Sequence, residues 1–125
     1  MKYSNGKYFV EWEDVNQFID KIAEKYEDCK ISGVYGIPRG GLVFAVMLSY
    51  KMNIPLLAAP ANDCIIIDDI ADSGDSLIHY ANHRYDENKY HIVTMYMGLY
   101  SSVIPELYVK VKDEDWVVFP WEVNK

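Results

Sequence analysis

The sequence predicts an α/β fold in which helices flank a mostly parallel sheet. Short β-branched runs alternate with stretches of helical length along most of the chain, and this alternation is typical of βαβ units. The run Ile65–Ile67 has the composition of a strand buried on both faces. Two acids and a turn of small residues follow it directly, so polar groups should lie at the carboxyl edge of the sheet, where α/β proteins bind ligands.

Length, composition and charge indicate a single-domain globular protein and argue against several other classes. With 125 residues, half of them apolar, residues 1–125 are expected to form one domain with a sizeable core. The net charge of −7, without a basic run, argues against binding to nucleic acid or to an anionic membrane. Cys29 and Cys64 lack the spacing of a metal site and are expected to be reduced thiols. Because no apolar run resembles a signal peptide or a membrane span, we expect a soluble, cytoplasmic protein.

The first half of the chain is predicted to contain two helices around a strand. Tyr8–Val10 forms an extended start, and apolar residues at helical spacing predict a helix over Glu13–Tyr26. Ile31–Ile37 is a predicted strand whose two glycines should allow close approach of a ligand or another backbone. After the turn Pro38–Gly41, the nearly all-apolar segment Leu42–Met52 predicts a helix that is buried on most sides.

The second half continues the alternation of strands and helices. Three further strands are predicted at Pro55–Ala58, Cys64–Asp68 and His91–Met97. Between the last two, the turn should open a helix from Gly74 to about Arg84. Leu107–Lys112 alternates as an edge strand does, so the tail is expected to extend the sheet.

The stretch Ile65–Ser76 carries the strongest functional signal. Asp68 and Asp69 could bind hydroxyl groups or a metal ion, and the backbone N–H groups of the following turn could hold a phosphate. An acidic pair beside an anion site suits a sugar phosphate. The alternative is structural, with the acids at a solvated strand end and with Asp72 and Ser73 as ordinary helix caps.

With its two motifs, the chain resembles the type I phosphoribosyltransferases. The first motif is an apolar strand, two acids, a short spacer and Ser-Gly-x-Ser, found here at Ile65–Ser76. The second is a strand followed by x-Arg-Gly-Gly and an apolar helix, found at Ile37–Leu42. The resemblance extends from about Tyr8 to Glu122 and implies the family's sheet flanked by helices. It also implies that phosphoribosyl pyrophosphate is the sugar donor.

The resemblance implies a role for each residue of the donor site. Asp68 and Asp69 would hold the ribose hydroxyls with Mg²⁺ nearby, which also makes them the candidate metal ligands. Arg39 and the amide of Gly40 would bind pyrophosphate. The ribose phosphate would be held by the loop of Asp72, Ser73, Gly74, Asp75 and Ser76, through its amides and its two serine hydroxyls.

The resemblance also implies a site for the base. Asp72 would lie near the imidazole side of a purine and act as a general base or hydrogen-bond acceptor. Trp116 would stack on the base, and the backbone of Val117 would contact its edge. A structural alternative is open for Trp116, because exposed or edge-packed aromatic residues are common.

The sequence departs from the family pattern at two places. Only about six residues, Ala58–Asp63, stand where the family has a long mobile loop, so the flexible lid is missing and water should reach the sugar. Tyr96–Tyr100 contains no lysine, whereas the purine enzymes carry one there that contacts the exocyclic oxygen. The identity of the base is therefore left open.

The sequence thus predicts a phosphoribosyltransferase that transfers ribose 5-phosphate to a nucleobase, with a purine favoured, and releases pyrophosphate. Mg²⁺ is the expected cofactor. The missing lid motivates an alternative, a binding or regulatory module for a nucleotide or phosphoribosyl pyrophosphate, without turnover. A structural domain with a vestigial site is a third reading. Whether the chain forms a homo-oligomer is left open.

Overall fold

The structure, a computed structural model, describes residues 2–4, 6–81, 89–112 and 116–122. Its helices are α1 (Trp12–Lys25), α2 (Gly40–Met52) and α3 (Asp75–Ala81). Its strands are β1 (Lys2–Ser4), β2 (Lys7–Phe9), β3 (Val34–Gly36), β4 (Cys64–Ala71), β5 (Tyr90–Gly98), β6 (Lys110–Lys112) and β7 (Trp116–Val118).

Two sheets organise the chain. The main sheet has the order β3-β4-β5-β6, and every pairing in it is parallel. The smaller sheet has the order β1-β2-β7, in which β1 is antiparallel to β2 and β7 is parallel to it. The predicted α/β class with a mostly parallel sheet flanked by helices is confirmed.

Two apolar clusters cover opposite faces of the main sheet, which explains why three isoleucines in a row are fully buried in β4. The first cluster lies under α1 and α2 and contains Phe18, Ile22, Phe44, Leu48, Ile65, Ile67 and Val93. The second lies under α3 and contains Ile66, Leu77, Ile92 and Val103. The first cluster also includes Val117 and Phe119, so the smaller sheet packs on the same core.

The strand predicted at Pro55–Ala58 is wrong, because only a single parallel bridge joins Val34 to Leu56. Val34 N–H donates to the Pro55 carbonyl at 2.9 Å and Leu57 N–H donates to the Val34 carbonyl at 2.8 Å. Proline cannot donate, which limits the ladder at this edge. The predicted strand ending at Asp68 is too short, since pairing with β5 continues to Ala71.

Elsewhere the predicted and observed boundaries of helices and strands differ by a few residues. The predicted strand over Ile31–Ile37 is limited to β3, while α1 and α2 begin one and two residues earlier than expected. β1 has no counterpart among the predicted elements. The predicted end of the third helix near Arg84 lies outside the described residues.

Helix α2 packs closely on β3 and β4 through two glycines. A Cβ at Gly36 would lie 2.8 Å from the Cβ of Ala45, and a Cβ at Gly41 would collide with the carbonyl oxygen of Ile67. The close approach expected from Gly36 is therefore made by a helix. This packing fixes the start of α2 directly beside the aspartates of β4.

No helix in the described ranges is both long and apolar enough to cross a membrane. Cys29 is exposed and Cys64 is buried, and neither forms a disulfide in the structure.

Candidate functional site

The acidic pair lies inside β4, beyond the point where β3 stops covering it. The last paired residues of the two strands are Gly36 and Ile67, and the Ile37 N–H donates to the Ile67 carbonyl at 3.0 Å. Asp68 and Asp69 follow at once, at the edge where the chain leaves β3 for α2. Asp68 is only 7% exposed and Asp69 is partly buried.

The two acids interrupt the regular alternation of β4 side chains between the two faces of the sheet. Ile67 packs in the first cluster, and so does Ile70, three residues later rather than two or four. Between them the carboxylates bend back onto the backbone. The Asp69 N–H donates to Asp68 Oδ1 at 2.9 Å, and the Ile70 N–H donates to Asp69 Oδ1 at 2.7 Å. This irregular stretch holds both carboxylates together at one place on the sheet.

Burial and the neighbouring charge set the protonation of Asp68. Burial, and after it the neighbouring charge of Asp69, raises the pKa of Asp68 from 3.8 to about 8. The ionised form of such a carboxyl group is stabilised by any group that supplies positive charge or donates hydrogen bonds. Cations and sugar hydroxyls both do so.

Replacing Asp68 by asparagine is expected to change how stability depends on pH. The pKa of Asp68 in the folded protein, about 8, lies above the unfolded value near 3.8, so its contribution to the free energy of unfolding is lost as pH rises through that window. In the absence of Mg²⁺ and nucleotide, the Asp68→Asn variant should be more stable than the native protein at about pH 9, by on the order of 2 kcal/mol. At about pH 5 the difference should be much smaller, because Asp68 is still protonated in the folded protein there.

Urea unfolding at both pH values measures this difference. Asp28→Asn, a change at an exposed acid after α1, is the matched control and should follow the native protein. An Asp68→Asn variant with the native pH dependence would show that Asp68 is ionised normally.

The start of α2 provides a cation and a free amide next to this pair. A Cβ at Gly40 would lie 2.9 Å from Asp69 Oδ1 and closer still to Oδ2, so only glycine leaves room for the carboxylate. Arg39 caps α2, is exposed, and makes no ion pair within the described residues. Within the same residues, the N–H of Gly40 has no acceptor. The peptide bond between Pro38 and Arg39 is cis. The guanidinium and the amide are thus both available to an anion.

The loop after β4, at Ser73 and Gly74, is fixed by contacts with Ser102, which follows β5. Gly74 has a φ of +89°, and a Cβ there would lie 2.9 Å from the backbone nitrogen of Ser102. The Ser73 carbonyl accepts from Ser102 N–H at 2.9 Å and from Ser102 Oγ at 3.0 Å. Glycine is needed here both for the left-handed backbone and for the contact.

The same loop has donors that the described protein does not use. Ser73 Oγ accepts from the Asp75 N–H at 3.2 Å, so the capping role considered for Ser73 is present. In the part of the chain that the structure describes, the N–H groups of Ser73 and Gly74 have no acceptor. Asp75 and Ser76 are exposed. The two unused amides and the exposed hydroxyl of Ser76 are donors of the kind that bind a phosphate.

Asp72 has a neighbour that sequence reasoning missed. Lys112 Nζ lies 3.7 Å from Asp72 Oδ1, and the lysine side chain is 13% exposed while that of Asp72 is 74% exposed. The signal available in the sequence was the alternation of Leu107–Lys112. An edge strand there brings its last residue to the same end of the sheet as the acids.

The two tryptophans of the tail have different environments. Trp116 is 60% exposed at the start of β7, while Val117 is buried. Trp121 is a packing residue, with its ring 5.2 Å from that of Phe119 at an interplanar angle of 9°. Trp116 is four residues after Lys112, so their Cα atoms lie within about 14 Å of each other. Its exposure leaves the indole ring open to a ligand, which the stacking role requires.

The segment that replaces the lid is a tight turn. Ala58–Asp63 joins the Leu56 bridge to β4, the Cys64 N–H donates to the Ala61 carbonyl at 3.1 Å, and Asp63 has a φ of +64°. The Asp63 N–H donates to the carbonyl of Lys89 at 2.8 Å. This segment is short and is tied down at its end by these hydrogen bonds.

Comparisons with known proteins agree with this fold. A crystal structure of a purine phosphoribosyltransferase from Pyrococcus horikoshii matches with a TM-score of 0.82 at 29% identity, covering 96% of this chain and 97% of that one. A curated xanthine-guanine phosphoribosyltransferase from Idiomarina loihiensis is 21% identical over 98% of this chain and 91% of its own length. The chain has the type I phosphoribosyltransferase fold. The resemblance predicted from the two motifs is confirmed.

Other comparisons add detail. The segments Tyr8–Trp12 and Asp115–Glu122 resemble the xanthine-guanine members in particular, in agreement with that relative. A curated adenine phosphoribosyltransferase from Treponema denticola is 44% identical over 39 residues, which are 31% of this chain and 20% of that protein. No family model matches the chain.

Proposed function

We propose that this chain is a Mg²⁺-dependent phosphoribosyltransferase that transfers ribose 5-phosphate from phosphoribosyl pyrophosphate to a purine base. One observation supports it above the others. A buried acidic pair, an arginine without an ion pair in the described residues, and a loop with unused amides all lie around the carboxyl end of β4. The shared core of the two sheets supports a further proposal, that residues 1–125 form one domain.

The donor has three parts that match three parts of the site. Asp68 and Asp69 accept hydrogen bonds from the two ribose hydroxyls. The loop from Asp72 to Ser76 holds the 5-phosphate with its amides and hydroxyls. Arg39 and the Gly40 amide hold the pyrophosphate, for which the planar guanidinium is well suited because it binds phosphate oxygens in pairs.

The acidic pair fits Mg²⁺ as a shared ligand. Mg²⁺ is commonly held by one or two carboxylates, several waters and substrate phosphates rather than by a cage of side chains. Among the described residues no group of three or more His, Cys, Asp or Glu converges, so Asp68 and Asp69 would bind the ion together with the donor. When bound, Mg²⁺ neutralises charge on the departing pyrophosphate.

The reaction forms one bond and breaks another at the same carbon. N9 of the purine attacks C1′ of the ribose, and the bond from C1′ to the pyrophosphate oxygen breaks, so pyrophosphate leaves with the electron pair. The carboxylates near the ribose stabilise the positive charge that develops on the sugar. Asp72 accepts the proton that the base loses at N7. Trp116 supplies a stacking surface, and the backbone of Val117 contacts the base edge.

A second candidate is a binding module without turnover, favoured by the tight turn at Ala58–Asp63. An uncovered site leaves the sugar accessible to water, which lowers the yield of transfer relative to hydrolysis. In this reading the same residues bind phosphoribosyl pyrophosphate or a nucleotide as a signal. For either candidate we propose a cytoplasmic protein acting on small molecules, without nucleic acid or membrane partners.

Incubation with Mg²⁺, phosphoribosyl pyrophosphate and a panel of nucleobases distinguishes the transferase from the binding module. Chromatography should show a nucleoside monophosphate and an equal amount of pyrophosphate. A reaction without base measures hydrolysis to ribose 5-phosphate. If no base gives nucleotide while calorimetry shows tight donor binding, the enzyme proposal is wrong and the binding module is correct.

A further inference from the structure

The peptide group that joins Ser73 to Gly74 is held by one residue from a distant segment of the chain. The Ser73 carbonyl accepts hydrogen bonds from the backbone N–H of Ser102 at 2.9 Å and from its Oγ at 3.0 Å. A Cβ at Gly74 would lie 2.5 Å from that same Oγ. Ser102 therefore packs directly against this peptide group and uses both of its hydrogen-bond donors on it.

This contact determines the direction of the Gly74 N–H. The C=O and N–H groups of a trans peptide point in opposite directions, and the bond between Ser73 and Gly74 is trans. Because Ser102 holds the carbonyl on its own side, the Gly74 N–H points to the other side of the peptide plane's axis, away from Ser102. Within the described residues, that N–H has no acceptor. The contact with Ser102 thus directs an unused donor of the loop away from the protein segment that holds it.

The local backbone does not select this orientation by itself. Glycine adopts positive and negative φ about equally well, so the peptide before Gly74 could rotate by half a turn. The peptide after Gly74 is fixed separately, because the Gly74 carbonyl accepts from the N–H groups of Leu77 at 3.1 Å and Ile78 at 2.9 Å. A rotated Ser73 peptide would present a carbonyl oxygen to an anion in place of an N–H. Oriented N–H groups attract an anion, whereas a carbonyl oxygen repels it.

We propose that Ser102 is a positioning residue for the phosphate-binding loop. It holds the Ser73 carbonyl so that the Gly74 N–H is presented to the 5-phosphate. Ser102 acts through the loop rather than on the ligand, since both of its donors are used by Ser73. This inference rests on the proposed function, because that function places the 5-phosphate in the loop.

The test compares Ser102→Ala with Ser101→Ala. Ser102→Ala removes the bond from Oγ and keeps the bond from the backbone N–H, so the fold should be retained. Ser101→Ala is the matched control, because Ser101 Oγ donates to the Val103 carbonyl at 2.7 Å instead. Calorimetry should show that the dissociation constant of ribose 5-phosphate rises by about 3- to 10-fold in Ser102→Ala, the effect of one hydrogen bond. It should be unchanged in Ser101→Ala.

Pyrophosphate is the second ligand in the test, since the proposed function assigns it to Arg39 and the Gly40 amide instead of the loop. In the presence of Mg²⁺ it should bind to both variants as it binds to the native protein. NMR of the ¹⁵N-labelled protein provides a direct readout of the loop. Ribose 5-phosphate should move the amide proton resonance of Gly74 downfield in the native protein, and should move it less in Ser102→Ala at the same ligand concentration.

The outcomes separate this inference from the proposed reaction. If the native protein makes no nucleotide but Ser102→Ala selectively loses affinity for ribose 5-phosphate, the reaction is wrong and the role of Ser102 stands. Native affinity for ribose 5-phosphate in Ser102→Ala overturns the inference. An equal loss of affinity for ribose 5-phosphate and pyrophosphate overturns it as well, since a general loss of structure would affect both ligands. Failure of the native protein to bind ribose 5-phosphate also overturns it.

Discussion

Replacing Asp72 by asparagine is expected to slow nucleotide formation by about 10²- to 10⁴-fold, the usual contribution of a positioned general base. Asparagine keeps the shape of the side chain but cannot take up the proton that leaves N7 of the base. Binding of phosphoribosyl pyrophosphate should change little, because the loop holds the phosphate through amides and hydroxyls rather than through this carboxylate. The structure supports a chemical role, since the Asp72 side chain is 74% exposed and therefore open to a ligand.

Single-turnover kinetics and donor calorimetry on the same preparation measure the two effects separately. Asp28→Asn removes an exposed acid after α1 and is the matched control for the change in charge. A native rate of transfer in Asp72→Asn would mean that Asp72 has a structural role in the loop. A parallel loss of donor affinity would instead place its carboxylate in the donor site.

Replacing Asp69 by asparagine is expected to weaken the Mg²⁺-dependent binding of phosphoribosyl pyrophosphate by about 10- to 100-fold, as for other residues that support a metal ion. The change removes one negative charge at the point where ribose hydroxyls and the ion meet. Asparagine has nearly the same volume, so it can remain in the space that Gly40 leaves open. Binding in the absence of Mg²⁺ should fall much less.

Titration calorimetry with and without Mg²⁺ gives both affinities. Asp20→Asn, which affects a surface ion pair with Lys51 at 3.0 Å, is a suitable control because it changes the same charge on α1. Thermal unfolding of each variant checks that the fold is intact. If Asp69→Asn keeps the native ratio of affinities with and without Mg²⁺, Asp69 is not at the metal.

The main sheet and the position of the acidic pair at its edge could be predicted from the sequence, because their signals are local. Three consecutive isoleucines require cover on both faces, and both apolar clusters are present. Gly36 indicated a close contact, which α2 makes through Ala45. The acids and the Arg-Gly-Gly turn lie on adjacent strands of a parallel sheet, so their proximity followed from the fold class.

Other features depend on pairings between distant segments and could not be predicted from local patterns. β4 continues to Ala71 because β5 pairs with it there, and the apolar sequence gives no signal for an extension through two aspartates. The pKa of Asp68 depends on its burial in the folded sheet. The pairing of Lys112 with Gly98 depends on the register of β6 and β5, which no local pattern in the sequence gives.

The tight turn between Leu57 and β4 is anchored independently on each side. Leu57 N–H donates to the Val34 carbonyl at 2.8 Å, and Ile65 N–H donates to the Gly33 carbonyl at 2.9 Å. The distance between these two hydrogen-bonded points is therefore set by the neighbouring residues Gly33 and Val34. It does not depend on how many residues connect Leu57 to Ile65. Lengthening the connection would cost on the order of 1 kcal/mol in closure entropy. The stretch Ala59–Pro60, which precedes the hydrogen-bonded Asn62, is accordingly a permissive graft point, where an engineered flap could be inserted to shield the sugar without redesigning the scaffold.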